Sequence, residues 1–338
     1  MRPRISTRTT ALALGAMLSL PSVALAQLPQ GLTGTLVVTN KGAASASIID
    51  IASGAILATV PTGNGPHEVA LTGDGALAIV TNYGAQQGGG TLTVVDVPGM
   101  SVARTIDLGQ YTRPHGIAVL PGDSLVAVTS ESTQNVVIVN VRAGTVRSAI
   151  PTEHAGSHMV AVTADGSKFY TGDIGSNTVS ELDPRTGRRT QSWDVPSQPE
   201  AINVTPDGSE VWVGSNAEGR VSVLDPRTGE VRTAAEEVGW PYRILFTPDQ
   251  QTVLVPDLRR EELRFIDRRS HRELGRMSFT DAGPQGITLT PDGRYAFQSL
   301  SQQQRVAVID VANRRVLGHL PTGAGPDGVV YTPRVFAR

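Results

Sequence analysis

The sequence predicts an all-β protein with the fold of a seven-bladed β-propeller, closed into a ring by its two ends. Three observations predict this fold: a strand–turn–strand segment recurs along the chain, its spacing is nearly constant, and the terminal copies are incomplete in complementary ways. A period of roughly 40–45 residues that is built from strands is typical of propeller blades. We therefore expect residues 35–333 to form a single propeller domain.

The recurring segment is clearest between Gly65 and Gly84, where two short apolar runs flank the turn at residues 72–75. Apolar runs of about four to eight residues between turn-forming residues indicate the two strands of a hairpin. Further copies begin at Arg113, Gly156, Gln198, Trp240, Gly283 and Gly325. The turn aspartates of the complete copies are Asp74, Asp123, Asp165, Asp207, Asp249 and Asp292. Their separations are 49, 42, 42, 42 and 43 residues, and counting the first strands gives seven blades.

Each period divides into four short strands, as the copy that begins at Gln198 shows. Its apolar runs are Ala201–Val204, Glu210–Val213, Arg220–Leu224 and Glu230–Ala234, with turn residues between them. Four short strands per period predict a four-stranded antiparallel blade. The third strand of each blade ends near an Asx residue, which we expect to cap the following turn. These residues are Asp50, Asp96, Asn140, Asp183, Asp225, Asp267 and Asp310.

The first and last repeats are fragments that complement each other. The segment after Gly34 matches a second strand of the blade, whereas the segment after Gly325 matches a first strand. We expect Asp327–Tyr331 to pair with Thr35–Thr39 and so complete the first blade. This pairing closes the ring and removes free sheet edges, which otherwise template association with other chains.

The first 26 residues have the pattern of a secretory signal peptide. A basic start is followed by the apolar run Ala11–Leu20 and by the small-residue site Ala24-Leu25-Ala26. The apolar run is shorter than the ~20 residues that a membrane span requires. We expect cleavage before Gln27, export to the periplasm and no membrane span. Residues 27–34 would then form a short linker, and residues 334–338 a C-terminal tail.

Composition narrows the classes of function. The chain has 29 Lys and Arg against 31 Asp and Glu, a net charge of −2, so no basic footprint for general nucleic-acid binding is present. It contains no cysteine, which excludes thiolate metal sites and a cysteine nucleophile. No His-Glu-x-x-His and no Gly-x-Ser-x-Gly pattern occurs. We expect a monomer whose partner is a small molecule or another protein.

Two features resemble YVTN-type repeat proteins: the Thr-Pro-Asp-Gly turns, and the segment 80–82 (Val-Thr-Asn) with its near-copy at 38–40. The resemblance covers roughly residues 34–333 and implies a seven-bladed propeller of a mostly bacterial, often exported family. The wider group is similar to lactonases, streptogramin lyase, an amine dehydrogenase subunit and the propeller of nitrous oxide reductase. The resemblance implies a fold, and the function has to be argued from a site.

A candidate site lies where the first strands begin, because these strands are innermost and start at the mouth of the central channel. The residues at this position are His67, His115, His158, Glu200, Tyr242, Gln285 and Asp327. The second strands end at the same face, and eight residues after the turn aspartates stand Asn82, Glu131, Asp173, Ser215, Asp257 and Leu300. We predict a site at the channel mouth that includes His67, His115, His158, Glu200, Tyr242, Asp173 and Asp257.

This combination of groups is compatible with several kinds of chemistry. Imidazole and carboxylate are the usual ligands of Zn, Cu, Fe and Mn when thiolates are absent. A divalent transition metal would be held by His67, His115 and His158, with Glu200 as fourth ligand or as a partner that orients an imidazole. The same groups suit metal-free acid–base catalysis, or a purely structural role. Two functions follow: a ligand-binding or scaffold propeller, and alternatively a metal-dependent lactonase, lyase or oxidase-like enzyme.

The exported protein is predicted to begin at or near Gln27. N-terminal sequencing of protein recovered from the periplasm measures this directly. An uncleaved form that stays with the membrane would contradict the prediction.

Overall fold

Each period of the sequence folds into four antiparallel strands in the computed structural model, which describes residues 28–336. The predicted signal peptide lies outside the described residues. The first blade contains β1 (Thr35–Asn40), β2 (Ser45–Asp50) and β3 (Ile56–Pro61), with a short 3-10 helix at Lys41–Ala43. The second contains β4 (Pro66–Leu71), β5 (Leu77–Asn82), β6 (Thr91–Asp96) and β7 (Ser101–Asp107). The third contains β8 (Pro114–Val119), β9 (Leu125–Ser130), β10 (Asn135–Asn140) and β11 (Thr145–Pro151).

The remaining blades repeat this plan. The fourth contains β12 (Ser157–Val162), β13 (Phe169–Asp173), β14 (Thr178–Asp183) and β15 (Arg188–Asp194). The fifth contains β16 (Pro199–Val204), β17 (Val211–Ser215), β18 (Arg220–Leu224) and β19 (Val231–Ala235). The sixth contains β20 (Leu245–Phe246), β21 (Thr252–Asp257), β22 (Glu262–Asp267) and β23 (Glu273–Ser278). The seventh contains β24 (Pro284–Leu289), β25 (Tyr295–Leu300), β26 (Arg305–Asp310) and β27 (Arg315–Pro321), and is followed by β28 (Pro326–Thr332).

The ring closes as the sequence predicts, and the seven-bladed propeller is confirmed. Strand β28 pairs antiparallel with β1, so that the first sheet has the order β28-β1-β2-β3. The register sets Thr35 opposite Thr332 and Val38 opposite Val329. No helix in residues 28–336 is long and apolar enough to cross a membrane.

The hairpin turns follow from their own side chains. Thr72 donates from Oγ1 to Asp74 Oδ1 over 2.6 Å, and the same aspartate oxygen accepts from the backbone N–H of Ala76. In the turn of the third blade, the aspartate comes one position later than in the second blade. Asp123, with φ 56°, takes the place that Gly75, with φ 68°, has in the second blade. The residue eight positions after Asp123 therefore lies one position beyond the strand, and the second strand of the third blade ends at Ser130, not at Glu131.

The Asx residues after the third strands cap the next turn as predicted. Asp96 accepts from the N–H of Gly99 at 3.0 Å, and Asn140 accepts from the N–H of Ala143 at 2.8 Å. Equivalent side-chain to backbone bonds occur at Asp50, Asp183, Asp225, Asp267 and Asp310. An Asx side chain that binds the backbone two or three residues ahead stabilises a turn, so these positions are structural.

Neighbouring blades are joined by threonines of the second strands. Thr39 Oγ1 donates to the carbonyl of His67 at 2.9 Å, and Thr81 Oγ1 donates to the carbonyl of His115 at 3.0 Å. Thr129 bonds to the carbonyl of His158 in the same way. The Val-Thr-Asn segments thus have a physical role: each threonine fixes the start of the next blade's inner strand. Each of these bonds positions the backbone of a channel histidine.

Apolar side chains fill the spaces between the blades. Trp212, which is fully buried, packs with Val223, Phe246 and Val255 where the fifth blade meets the sixth. Its indole N–H donates to Glu210 Oε2 at 3.0 Å, so the ring is buried without an unsatisfied donor. Comparable clusters lie between the other blades.

The sixth blade departs from the predicted pattern at its inner strand. Only Leu245–Phe246 is regular, and Pro241 makes an isolated bridge with Asp257. Pro256, in the strand that should pair with this segment, has no backbone N–H to donate. The ladder is therefore interrupted beside Tyr242, which keeps a single bond to the carbonyl of Pro256 at 2.9 Å.

Deleting residues 325–338 should abolish cooperative folding, because β1 would lose its inner partner and the ring would stay open. A chain that ends at Arg334 is the matched control, since it keeps β28 intact. Thermal unfolding followed by circular dichroism tests both. A sharp transition within a few degrees of the full chain after the longer deletion would contradict closure by β28.

Candidate functional site

A bulge at the start of the inner strands turns side chains towards the channel. In the second blade, regular pairing holds at Pro66 and resumes at Val69, so that His67 and Glu68 lie between paired positions. The register shifts in the same way at the start of β8, β12, β16 and β24. A bulge re-aims the side chains of the residues it contains. The inner strands of these five blades can therefore present a polar group at the channel mouth.

These groups form a ring of contacts that we call the mouth ring. Its members are His67, His115, His158, Glu200, Tyr242, Gln285 and Asp327. Closure of the propeller sets Asp327 beside His67, with Oδ2 at 3.1 Å from Nδ1 of the imidazole. The other oxygen of Asp327 accepts from the hydroxyl of Tyr242 at 3.0 Å, and Gln285 reaches that hydroxyl at 3.3 Å.

The histidines occupy the adjoining part of the mouth ring. His67 Nε2 and His115 Nε2 are 3.1 Å apart. The rings of His115 and His158 stack with centroids at 3.6 Å and an interplanar angle of 33°. His158 Nδ1 bonds to Glu131 Oε1 at 2.7 Å, and its Nε2 lies 3.9 Å from Glu200 Oε1.

The carboxylate contacts fix which imidazole nitrogens are free. A neutral imidazole carries one N–H and one lone pair. Because Nδ1 of His67 lies against two carboxylate acceptors, Glu68 Oε1 at 3.3 Å and Asp327 Oδ2 at 3.1 Å, its proton belongs there and the lone pair is on Nε2. Carboxylate binding at one ring nitrogen is the arrangement that orients metal-binding histidines in proteins. The lone pair of His67 thus accepts a hydrogen bond from Nε2–H of His115, whose buried Nδ1 has no partner among residues 28–336.

Below the mouth ring, one ion pair spans the channel. Arg243 Nη2 bonds to Glu68 Oε1, which joins the sixth blade to the second. The arginine also donates from Nη1 to the carbonyl of Tyr242 at 2.5 Å, and its Cζ lies 4.2 Å from the centre of the Tyr242 ring. Among residues 28–336, its buried Nε has no hydrogen-bond partner.

Four of the other five blades have glycine or alanine at this second level. The residues that follow the mouth-ring members there are Gly116, Met159, Ala201, Gly286 and Gly328. A Cβ on Gly116 would lie 2.7 Å from Met159 Cα, and one on Gly328 would lie 2.7 Å from the carbonyl oxygen of His67. The inner strands approach so closely at Gly116 and Gly328 that only glycine fits there, and Met159 packs in an apolar cluster, so Glu68 and Arg243 are the charged residues at this level.

Burial sets the protonation states at the mouth. It lowers the pKa of His67 and of His115 well below the usual value, and neighbouring His115 and His158 respectively add to the effect. Burial also raises the pKa of Glu200 and lowers that of Arg243 to about 10. The two facing histidines are therefore neutral near pH 7, which is the form that binds metals.

A possible metal-binding group consists of His67, Glu68 and His115. One ligand atom from each residue lies within 4.8 Å of the others. Two imidazole nitrogens at the ~2.0–2.1 Å of a tetrahedral zinc site would be about 3.3 Å apart. The observed separation of 3.1 Å between the two Nε2 atoms is close to that value. The group could hold a metal ion, and its donors are those that zinc and similar metals take.

The structure rearranges the predicted set of four ligands. It brings His67 and His115 together and adds Glu68, which follows His67 directly in the sequence. His158 and Glu200 lie next to each other on the far side of His115. The carboxylate of Glu200 bonds to the amide of Asn216 and to the indole N–H of Trp240 at 3.0 Å.

Tyr242 belongs to the mouth ring, but two other predicted site residues do not. The carboxylate of Asp173 accepts hydroxyls within its own blade, Ser157 and Ser180 at 2.7 Å among them. Asp257 accepts from the N–H groups of Gly239 and Trp240 at 2.7 and 2.9 Å. Asp257 thus holds the loop that leads into the inner strand, as Asn82 does in the second blade, whereas Asp173 joins the first three strands of its own blade.

Sequence reasoning missed several residues that support the mouth. Lys41 Nζ lies 3.4 Å from Asp327 Oδ2, and the hydroxyl of Tyr83 donates to Glu131. Lys41, Tyr83 and Asn216 occupy the same position, the first residue after the second strand of their blades. The common offset is the signal that could have identified them, once the register of the third blade is corrected.

Comparisons with known proteins support the fold and leave the function open. No protein-family model matches the chain, and no curated protein matches it. The structure is similar to hydrazine synthase of Kuenenia stuttgartiensis, with a TM-score of 0.72, 19% identity, and coverage of 88% of this chain and 99% of that one. It is also similar to a functionally unknown protein from Desulfotomaculum acetoxidans, with a TM-score of 0.73, 16% identity, and coverage of 88% and 98%. At these identities the likeness shows a shared propeller fold, and the YVTN-type assignment remains a resemblance.

Replacing His115 with glutamine should flatten the pH dependence of stability. The folded state holds this histidine neutral, so its contribution is complete above the unfolded pKa of about 6.5 and is lost as the pH falls, by up to about 1.4 kcal/mol per pH unit. Urea unfolding at pH 7.5, 6.5 and 5.5 with a chelator present measures the slope. Parallel slopes for the two proteins would contradict the neutral assignment.

Proposed function

We propose that this protein is an exported binding propeller that holds a divalent transition metal ion at its channel mouth. The ligands are Nε2 of His67, Nε2 of His115 and the carboxylate of Glu68. The observation that carries the proposal is the pair of buried, neutral imidazoles whose Nε2 atoms face each other at 3.1 Å beside a carboxylate. A divalent cation would bind all three groups in place of the hydrogen bond between the two imidazoles.

The surroundings of the three ligands support a metal rather than a packing role. Asp327 binds the other ring nitrogen of His67 and is itself held by Tyr242 and Lys41. Such outer partners fix the tautomer and the direction of a ligating imidazole. His115 is only 1% exposed, and the carbonyls of both histidines are anchored by threonines of the preceding blades. The donor atoms are thus placed before an ion arrives.

A metal-dependent enzyme is the second candidate, and one observation favours it. The group supplies three protein ligands, two imidazoles and one carboxylate. Zinc sites with three protein ligands and one open position are typical of catalysis, whereas structural sites use four. The open position would serve a lactonase, lyase or oxidase-like reaction, and equally a bound ligand that is not converted.

Export is part of the proposal, because the His-bearing mouth would then meet metals and small molecules of the periplasm. The signal-peptide pattern of residues 1–26 supports it. The balanced charge of the chain supports a small molecule or a protein as partner, in place of nucleic acid.

Protein purified from the periplasm without a histidine tag should contain about one equivalent of Zn, Cu, Fe or Mn, as expected for a single three-ligand centre. His115→Ala should lower metal affinity by more than the roughly 10–100-fold that follows loss of an outer-shell partner. His319→Ala, in the outer strand β27, is the matched control and should bind as the wild type does.

Elemental analysis and calorimetric titration with ZnCl₂ measure these outcomes. Saturating zinc should also stabilise the folded protein, by about 2.7 kcal/mol at one hundred times Kd. Absence of both bound metal and stabilisation would refute the site. Equal binding by the His115→Ala and His319→Ala proteins would place the ion elsewhere.

A further inference from the structure

We propose that the metal-loaded mouth takes a small carboxylate as its ligand, bound between the metal ion and the guanidinium of Arg243. This inference rests on the metal site proposed above and names the class of molecule that completes it. Three features of the described residues carry it: the uncommitted donors of Arg243, its link to Glu68, and the balance of charge at the mouth.

Arg243 has more donors than its neighbours use. A guanidinium presents five N–H groups and no acceptor. Residues 28–336 accept two of them, at the carbonyl of Tyr242 and the carboxylate of Glu68, while the buried Nε has no partner. A buried donor without a partner is costly, about 1–3 kcal/mol. A ligand oxygen is the natural complement of these donors.

The link to Glu68 places Arg243 next to the proposed metal. Glu68 Oε1 binds Arg243 Nη2 and also lies 3.3 Å from Nδ1 of His67. Since the same carboxylate belongs to the metal-binding group, the guanidinium is one side chain away from the ion. A carboxylate on the open coordination position would therefore lie within reach of a planar, fork-shaped donor. Arginine binds carboxylates bidentately, which gives both affinity and orientation.

The charges at the mouth couple the binding of the carboxylate to the binding of the metal ion. The carboxylates of Glu68, Glu131, Glu200 and Asp327 lie near three cations: Lys41, Arg243, and Arg113, whose charge acts on Glu131. Acidic groups outnumber basic ones there, so a metal-free mouth repels an anion. A divalent cation offsets this excess and allows a monoanion to enter. Binding of the carboxylate should therefore require the metal.

The coupling can be measured from the side of the metal. Binding free energies of two ligands are reciprocal, so a carboxylate that needs zinc must raise the affinity for zinc by the same factor. Titration of metal-free protein with ZnCl₂ in acetate, compared with perchlorate at equal ionic strength, should give an increase of about 5-fold or more, the lower end of typical coupling. Sulfate is the third arm and should have no comparable effect.

Two substitutions test the role of Arg243. Arg243→Lys keeps a positive charge beside Glu68 but loses the fork, so zinc should still bind and the acetate effect should disappear. Arg243→Met removes the charge as well and should behave likewise if it folds. Arg276→Met, on the outer strand β23, is the matched control and should keep the full effect.

The outcomes separate the two proposals. Zinc binding without any acetate effect overturns the carboxylate and leaves the metal site standing. An acetate effect that persists in Arg243→Lys overturns the assignment to Arg243, and an equal effect of sulfate overturns the carboxylate class. Failure of zinc to bind the wild-type protein overturns both.

Discussion

The pairing of the last strand with the first is the interaction on which the rest of the molecule depends. It completes the first blade, and through it the two ends of the chain close the sheet ring. The same pairing sets Asp327 beside His67, although the two residues are 260 positions apart in the sequence. Fold closure and the orientation of a candidate metal ligand are therefore one event, and loss of β28 would remove both.

The mouth ring shows how a propeller assembles a site without a local motif. Each blade contributes one residue at the start of its inner strand, and the threonine of the preceding blade holds the backbone of each histidine. Candidate ligands that are 48 residues apart, such as His67 and His115, meet at 3.1 Å because the blade repeat is regular. The regular repeat thus fixes the positions of these side chains. It also brings the inner strands so close together that only glycine fits at Gly116 and Gly328.

The fold and the positions of the mouth-ring residues were predictable from the repeat, whereas the pairing of the candidate ligands was not. Periodic turns gave the seven blades, the closure and the histidines at the mouth. The prediction did not single out Glu68, because a strand without a bulge would turn it away from His67. It also placed Glu131 at the end of a second strand, one position too far along, because the aspartate in the turn of the third blade comes one position late. Asp173 and Asp257 share a strand-end position with Asn82. Their carboxylates accept hydrogen bonds from their own blades and therefore do not take part in the mouth ring.

We propose that His67, His115 and Glu68 together hold one metal ion. The most direct measurement is a crystal structure of the zinc-loaded protein with anomalous data collected on both sides of the zinc absorption edge. A single strong anomalous peak is expected about 2.0–2.2 Å from Nε2 of His67, from Nε2 of His115 and from an oxygen of Glu68. Zinc located only at other histidines, such as His154 or His319, with direct contact retained between the two Nε2 atoms, would contradict it.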